Sequence, residues 1–170
     1  MEAAGKTFDY YNKIYLIFFK AYKEDIYLAD ALRNADINSI EQNRNSLSNY
    51  STEGMEKLTG YGRFENDETL LMACRQVLAF YKDEAENKTP LLLDFFTAKD
   101  KFEKIKTTFD KIKPNQRTNQ NIETYNNAIK EMNTASERYN DTGKKINDSA
   151  KKVLENWNKK SDAFLDAHIP

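Results

Sequence analysis

The chain has 170 residues, 26 basic and 27 acidic, with a formal charge of −1. That length is enough for one domain with a real core, and the balance of charge leaves no basic field for nucleic acid or an anionic membrane. A single cysteine, Cys74, and a single histidine, His168, exclude an internal disulfide, a cysteine-based zinc site and the paired Glu-x-x-His motifs of a di-iron bundle.

Three prolines and five glycines favour long helices over many strands and turns. The first helical segment covers about residues 7–59. It opens with Phe8, Tyr11, Ile14, Tyr15, Phe18 and Tyr22, apolar nearly all round, so packing on more than one side is expected. The apolar run Ile14 to Phe19 lies between Lys13 and Lys20 and is too short to span a bilayer. Tyr10, Tyr11, Tyr15, Tyr22 and Tyr27 are expected to pack in the core and its flanks, with a ligand pocket as the alternative. Arg33-Asn34-Ala35-Asp36 is a weak break inside this segment.

Gly60-Tyr61-Gly62 ends it, and Asn66 or Asp67 is placed to cap the second segment, about residues 67–113. Leu70, Cys74, Val77 and Tyr81 begin a seam there, continued by Leu91, Phe95, Ala98, Phe102, Ile105, Phe109 and Ile112. Asn87-Lys88-Thr89-Pro90 should interrupt it, because Pro90 lacks an N–H and Thr89 is placed to cap a restart. Lys113-Pro114-Asn115 is the next strong break, and Thr118 or Asn119 caps the third segment, about residues 118–167. Its seam has one row of Ile122, Ile129, Ser136, Gly143, Ala150, Trp157 and Phe164, and another of Tyr125, Met132, Tyr139, Ile146 and Val153.

A heptad row of asparagines, Asn126, Asn133, Asn140 and Asn147, follows that second row by one residue. Such positions border the seam. A half-buried flank that aligns the helices is the expectation, and a polar binding groove the alternative. A hairpin turning near residue 115 sets Gly143 opposite Lys88, Ser136 opposite Phe95, Ala150 opposite Tyr81 and Trp157 opposite Cys74, large against small. The first two segments then pair with residue 38 near residue 88, so the weak points fall near mid-length. The expected fold is a single all-α domain over residues 1–170, an elongated, up-and-down antiparallel bundle of three long kinked helices, or of four if 34–36 is a true turn.

The chemistry is sparse. Cys74 and Trp157 read as core residues. His168 has only Asp162 and Asp166 near it in sequence, too few for a metal site. The acidic residues are scattered among lysines and form no inward-facing pair at catalytic spacing. No phosphate loop, GxSxG or assembled Ser/His/Asp set is present. No catalytic residue, cofactor or metal is therefore assigned.

Two stretches carry a resemblance: LLMACRQVLAFYKDEAENKTPLLLDFF, residues 70–96, and the tail from Tyr125-Asn126 through Met132-Asn133 and Tyr139-Asn140 to Phe164-Leu165-Asp166-Ala167-His168-Ile169-Pro170. With Tyr11-Asn12-Lys13-Ile14 at the opening, they resemble a bacterial family of helical exported proteins described as surface proteins, first in Leptospira and common in Bacteroidetes. The resemblance implies an all-helical fold and export to the periplasm or outer cell surface behind a cleaved signal, often with an N-terminal lipid anchor; these residues show neither signal nor lipidated cysteine. It implies no enzymatic activity. The expected function is a non-enzymatic, lipoprotein-like interaction module for a protein or cell-surface partner that the sequence does not identify. The alternative is a small-ligand-binding bundle that uses an Asn-lined groove or a mid-bundle pocket.

Overall fold

The structure is a computed structural model that describes residues 2–169, with side chains from Ala4 onward. It is an all-α helical bundle: α1 (Glu2–Arg33), α2 (Ile37–Tyr61), α3 (Thr69–Asp83), a π-helical turn (Glu84–Lys88), α4 (Thr89–Lys111), a short 3₁₀ turn (Pro114–Gln116) and α5 (Asn119–His168). Residues 34–36 are a true turn, so the four-helix alternative holds and the first long helix is two. Ala35 takes the left-handed conformation at φ +52°, and the Asp36 and Ala35 N–H groups bond back to the carbonyls of Ala31 and Leu32, which closes α1. Asp36 then accepts the Ser39 N–H at 3.1 Å and starts α2.

The strong breaks fall where expected. Asp67 accepts the Thr69 N–H at 2.6 Å. Thr118 and Asn121 cap α5 reciprocally, each side chain accepting the other's N–H. The break before Pro90 differs from expectation. Thr89 is buried and helical rather than a cap, and a wide π turn, Glu84–Lys88, precedes Pro90 in the first turn of α4.

Within the single 1–170 domain expected, the chain forms two compact units, Met1–Asn87 with Ile146–Pro170, and Lys88–Lys145. The first contains α1, α2, α3 and the C-terminal half of α5 around a core that includes Ile14, Phe18, Leu28, Ile40, Leu47, Leu58, Leu70, Val77, Leu78, Tyr81, Trp157 and Phe164. At Gly54 of α2 the helices come very close: a Cβ there would lie 2.8 Å from both Ile17 Cγ2 and Leu78 Cδ1. Cys74 Sγ lies 3.9 Å from the Ile14 carbonyl, and Ser48 donates to Glu86 at 2.7 Å. Ser48, rather than residue 38, therefore meets the π turn. The mid-length alignment of weak points does not form, because α1 and α2 are separate helices that fold back on each other.

The second unit is a hairpin of α4 and the first half of α5. Tyr139 packs on Phe95 and Phe96, and Tyr125 on Phe109 at 4.4 Å. Lys101 pairs with Glu131 and Arg138 with Asp94, one residue from the drawn register, which set Asp100 opposite Glu131. In the first unit Asn156 donates to Gln76 at 2.9 Å, which levels Trp157 with Arg75, again one residue from the drawn partner Cys74. The large-against-small argument fails at Gly143, where an added Cβ would meet nothing within 4 Å.

Two measurements check this packing. Gly54→Val should lower stability by about 1–3 kcal/mol through overpacking between Ile17 and Leu78, despite leaving a weak helix former behind; a thermal melt equal to wild type contradicts the close approach. Buried residues number two in α4, Thr89 and Leu92, against seven in α3. Amide hydrogen exchange should therefore be faster along α4 than along α3.

Candidate functional site: an aromatic groove and a buried acid pair

One face of α1, with Ile14, Ile17, Phe18, Ala21 and Leu28, is buried. The row beside it is not. Tyr11, Tyr15 and Tyr22 are half-buried, and Phe19 keeps 42% of its surface exposed. Helical spacing of three and four residues lines these side chains up. Tyr11 and Tyr15, and Tyr15 and Phe19, sit 5.9 Å apart and within 14° of parallel, with Tyr22 6.5 Å beyond Phe19. α5 supplies the facing wall from Leu154, Trp157, Asn158, Ser161 and Asp162, enclosing a groove of about 490 Å³. The Trp157 ring stacks on Phe18 at 4.3 Å, and the Ser161 hydroxyl donates to the Tyr11 oxygen at 3.0 Å. A groove of this size with aromatic walls and a few polar groups fits a small ligand. The tyrosine-rich opening thus divides: Tyr11, Tyr15 and Tyr22 line the groove, Tyr10 donates to the Gly62 carbonyl at 2.7 Å, and Tyr27 lies beside Asp30, Asn34 and Asp36.

Three residues on from Tyr22 along α1 stands Asp25, whose carboxyl shares a hydrogen bond with that of Glu84, the first residue of the π turn. Burial pushes Asp25 up to about 6. Burial, then the Asp25 charge and the shared hydrogen bond, push Glu84 up to about 8. Tyr81, one turn before Glu84, is fully buried, and its hydroxyl has no hydrogen-bond partner among the described residues. Burial, followed by the charges of Asp25, Glu84 and Tyr22, raises its pKa as well. A linked carboxyl pair, with Glu84 buried and Asp25 half-buried, is therefore present, though not at the catalytic spacing that the scattered acids argued against. The legible signal was that each acid takes a seam position: Glu84 continues the row Leu70, Cys74, Val77, Tyr81, and Asp25 falls between Phe18, Ala21 and Leu28.

The remaining candidates are placed as follows. Asn126, Asn133, Asn140 and Asn147 are all exposed rather than half-buried. At the first three, α5 has only α4 as a neighbour within its unit, so no third helix covers the flank. The hollow on that hairpin, about 670 Å³, is lined by Asn127 and by Asp94, Lys101, Glu131 and Arg138, whose charges pair with one another. His168 meets neither Asp162 nor Asp166. Its Nε2 lies 3.0 Å from Asp67 Oδ2, its Nδ1 3.6 Å from Glu65 Oε2, and its ring packs on Phe64 and Phe164. Thr7 donates to the His168 carbonyl at 3.1 Å, so the end of α5 is fastened to α1 and to the α2–α3 loop. Burial pushes the Asp67 carboxyl up, but hydrogen bonds from Thr69 and His168 outweigh it and hold the group below its ordinary value. Cys74 is buried, which pushes its thiol up to about 12. Among the described residues no group of three or more His, Cys, Asp or Glu side chains is arranged to hold a metal ion, and no helix is long and apolar enough to cross a membrane.

Comparison with known proteins finds no family model, no curated protein and no solved structure that matches this chain.

The acid pair gives a pH dependence with a definite sign. Both carboxyls hold protons more tightly folded than unfolded, so the pair's contribution to stability is greatest below the ordinary carboxylate range. It declines as pH rises through about 6 for Asp25 and about 8 for Glu84. The melting temperature should fall between pH 5 and pH 9, to a first approximation in two steps. Glu84→Gln should flatten the upper step, because an amide has no proton to lose. A parallel decline in wild type and variant by circular dichroism contradicts the assignment.

Proposed function

We propose that this protein is a non-enzymatic binding module, an interaction bundle that takes its ligand in the aromatic groove between α1 and α5. The observation that carries this is the row Tyr11, Tyr15, Phe19 and Tyr22, left partly open on a helix whose other face is buried, opposite the polar Asn158, Ser161 and Asp162. Aromatic side chains kept at a solvent-facing concavity are the usual apolar walls of a ligand site. This reading takes the small-ligand alternative but moves it from the asparagine row to α1. Export to a bacterial periplasm or cell surface, and a protein or cell-surface source for the ligand, belong to the same proposal and rest on the sequence resemblance alone.

An enzyme reading has one observation in its favour, the Asp25–Glu84 pair. Carboxylates that cleave a glycosidic bond stand about 5–9.5 Å apart, with substrate or water between them. Asp25 and Glu84 bond to each other directly, an arrangement suited to holding one proton inside the core. We assign the pair to structure rather than catalysis.

The test uses Trp157, the only tryptophan, which lines the groove. Its fluorescence should respond saturably to at least one probe among choline, maltotriose and a proline-rich decapeptide, and Tyr15→Ala should abolish the response. No saturable response to any probe, or a response unchanged in Tyr15→Ala, contradicts the groove as the binding face.

A further inference from the structure

We propose that the groove selects a small organic cation, a methylated or quaternary ammonium group held among the α1 rings with Asp162 at the rim. The inference rests on the groove being the binding face and adds the charge of its occupant. Five of the lining side chains, Tyr11, Tyr15, Phe18, Phe19 and Tyr22, are aromatic residues of α1, and Trp157 adds a sixth ring from α5. The lining holds one formally charged residue, Asp162, and no lysine or arginine. The two basic residues of α1 around Tyr22 are both engaged elsewhere: Lys20 pairs with Glu53 at 3.3 Å and covers the Tyr50 ring, and Lys23 lies over Tyr27.

The one formal charge among the lining side chains is therefore negative. Aromatic rings add negative potential at their faces, which attracts an ammonium group but gives an anion nothing. A neutral sugar would need several converging polar groups, yet the Ser161 hydroxyl is already given to Tyr11, which leaves Asn158 and Asp162 on the α5 wall. A methylated ammonium needs none, because it has few or no N–H groups to satisfy. A volume of about 490 Å³ accommodates an organic cation with a short substituent and far exceeds a bare metal ion.

The test compares choline with 3,3-dimethylbutan-1-ol, in which carbon replaces the charged nitrogen at nearly the same shape. The full chain is titrated with each at pH 7.5, following Trp157 fluorescence. Choline should bind at least about tenfold more tightly than its neutral isostere, a difference well within reach of charge and ring recognition. Asp162→Asn should weaken choline several-fold and leave the isostere unchanged. Tyr15→Ala should abolish both while keeping the wild-type circular dichroism spectrum, and Tyr15→Phe, which keeps the ring, should bind both, so the loss tracks the ring and not the fold. Equal affinities for the two probes, or a choline affinity unmoved in Asp162→Asn, overturns the cation assignment and leaves the groove as a binding face. A response to maltotriose or peptide but not to choline has the same meaning. Silence to all of the probes overturns both.

Discussion

α2 passes Ile17 and Leu78 at Gly54, where a Cβ would lie 2.8 Å from a side-chain carbon of each. A larger residue there would force those side chains to shift, so this close contact of α1, α2 and α3 depends on residue 54 being glycine. The rest of the first unit follows from it. With Ile17 held inward, the 3.6-residue period turns Ile14, Phe18, Ala21 and Leu28 into the core as well. The same period turns Tyr15, Phe19 and Tyr22 outward, towards α5. The groove is thus the far side of a helix whose near side is fixed by one glycine. Trp157 belongs to both sides, because it stacks on buried Phe18 and also lines the groove.

Asp25 and Glu84 occupy seam positions on the same scaffold, where an apolar residue would ordinarily pack. Burying carboxyl groups is unfavourable unless they are neutral or paired. Here one is both bonded to the other and easily kept protonated, and the raised values of about 6 and about 8 describe that compromise. The π turn matters because it begins at Glu84. Glu84 still keeps the seam spacing of Val77 and Tyr81, so the seam carries the acid to the point where the helix widens.

The second unit follows different arithmetic. Two helices alone cover each other on one side only, so most of their apolar residues, including Phe95, Phe102, Met132 and Tyr139, remain half-buried. Ring pairs around Tyr125 and Tyr139 and cross-helix ion pairs hold the register. Exposed ion pairs contribute little each. The aromatic contacts therefore carry most of that hairpin's stability, and its asparagines face water.

By itself the sequence determined what depends on neighbours along the chain: the all-α class, the breaks at Gly60–Gly62 and Lys113–Asn115, helix starts near Asn66–Asp67 and Thr118–Asn119, and the hairpin register to within one residue. It also identified Trp157, Phe164, Cys74 and Tyr81 as core. These are properties of local propensity and of a repeat carried by one helix against its immediate partner. The tertiary structure decided what depends on a third helix. It decided whether Asn126, Asn133 and Asn140 border a covered seam or open solvent, and which carboxylates come to face each other across the core. It gave His168 its partners in Asp67 and Glu65, far away in sequence. It also decided which tyrosines of α1 line a groove. A helical period says that residues share a face, but which face is covered depends on how closely neighbouring helices approach, and at Gly54 the lack of a Cβ lets α2 sit against Ile17 and Leu78.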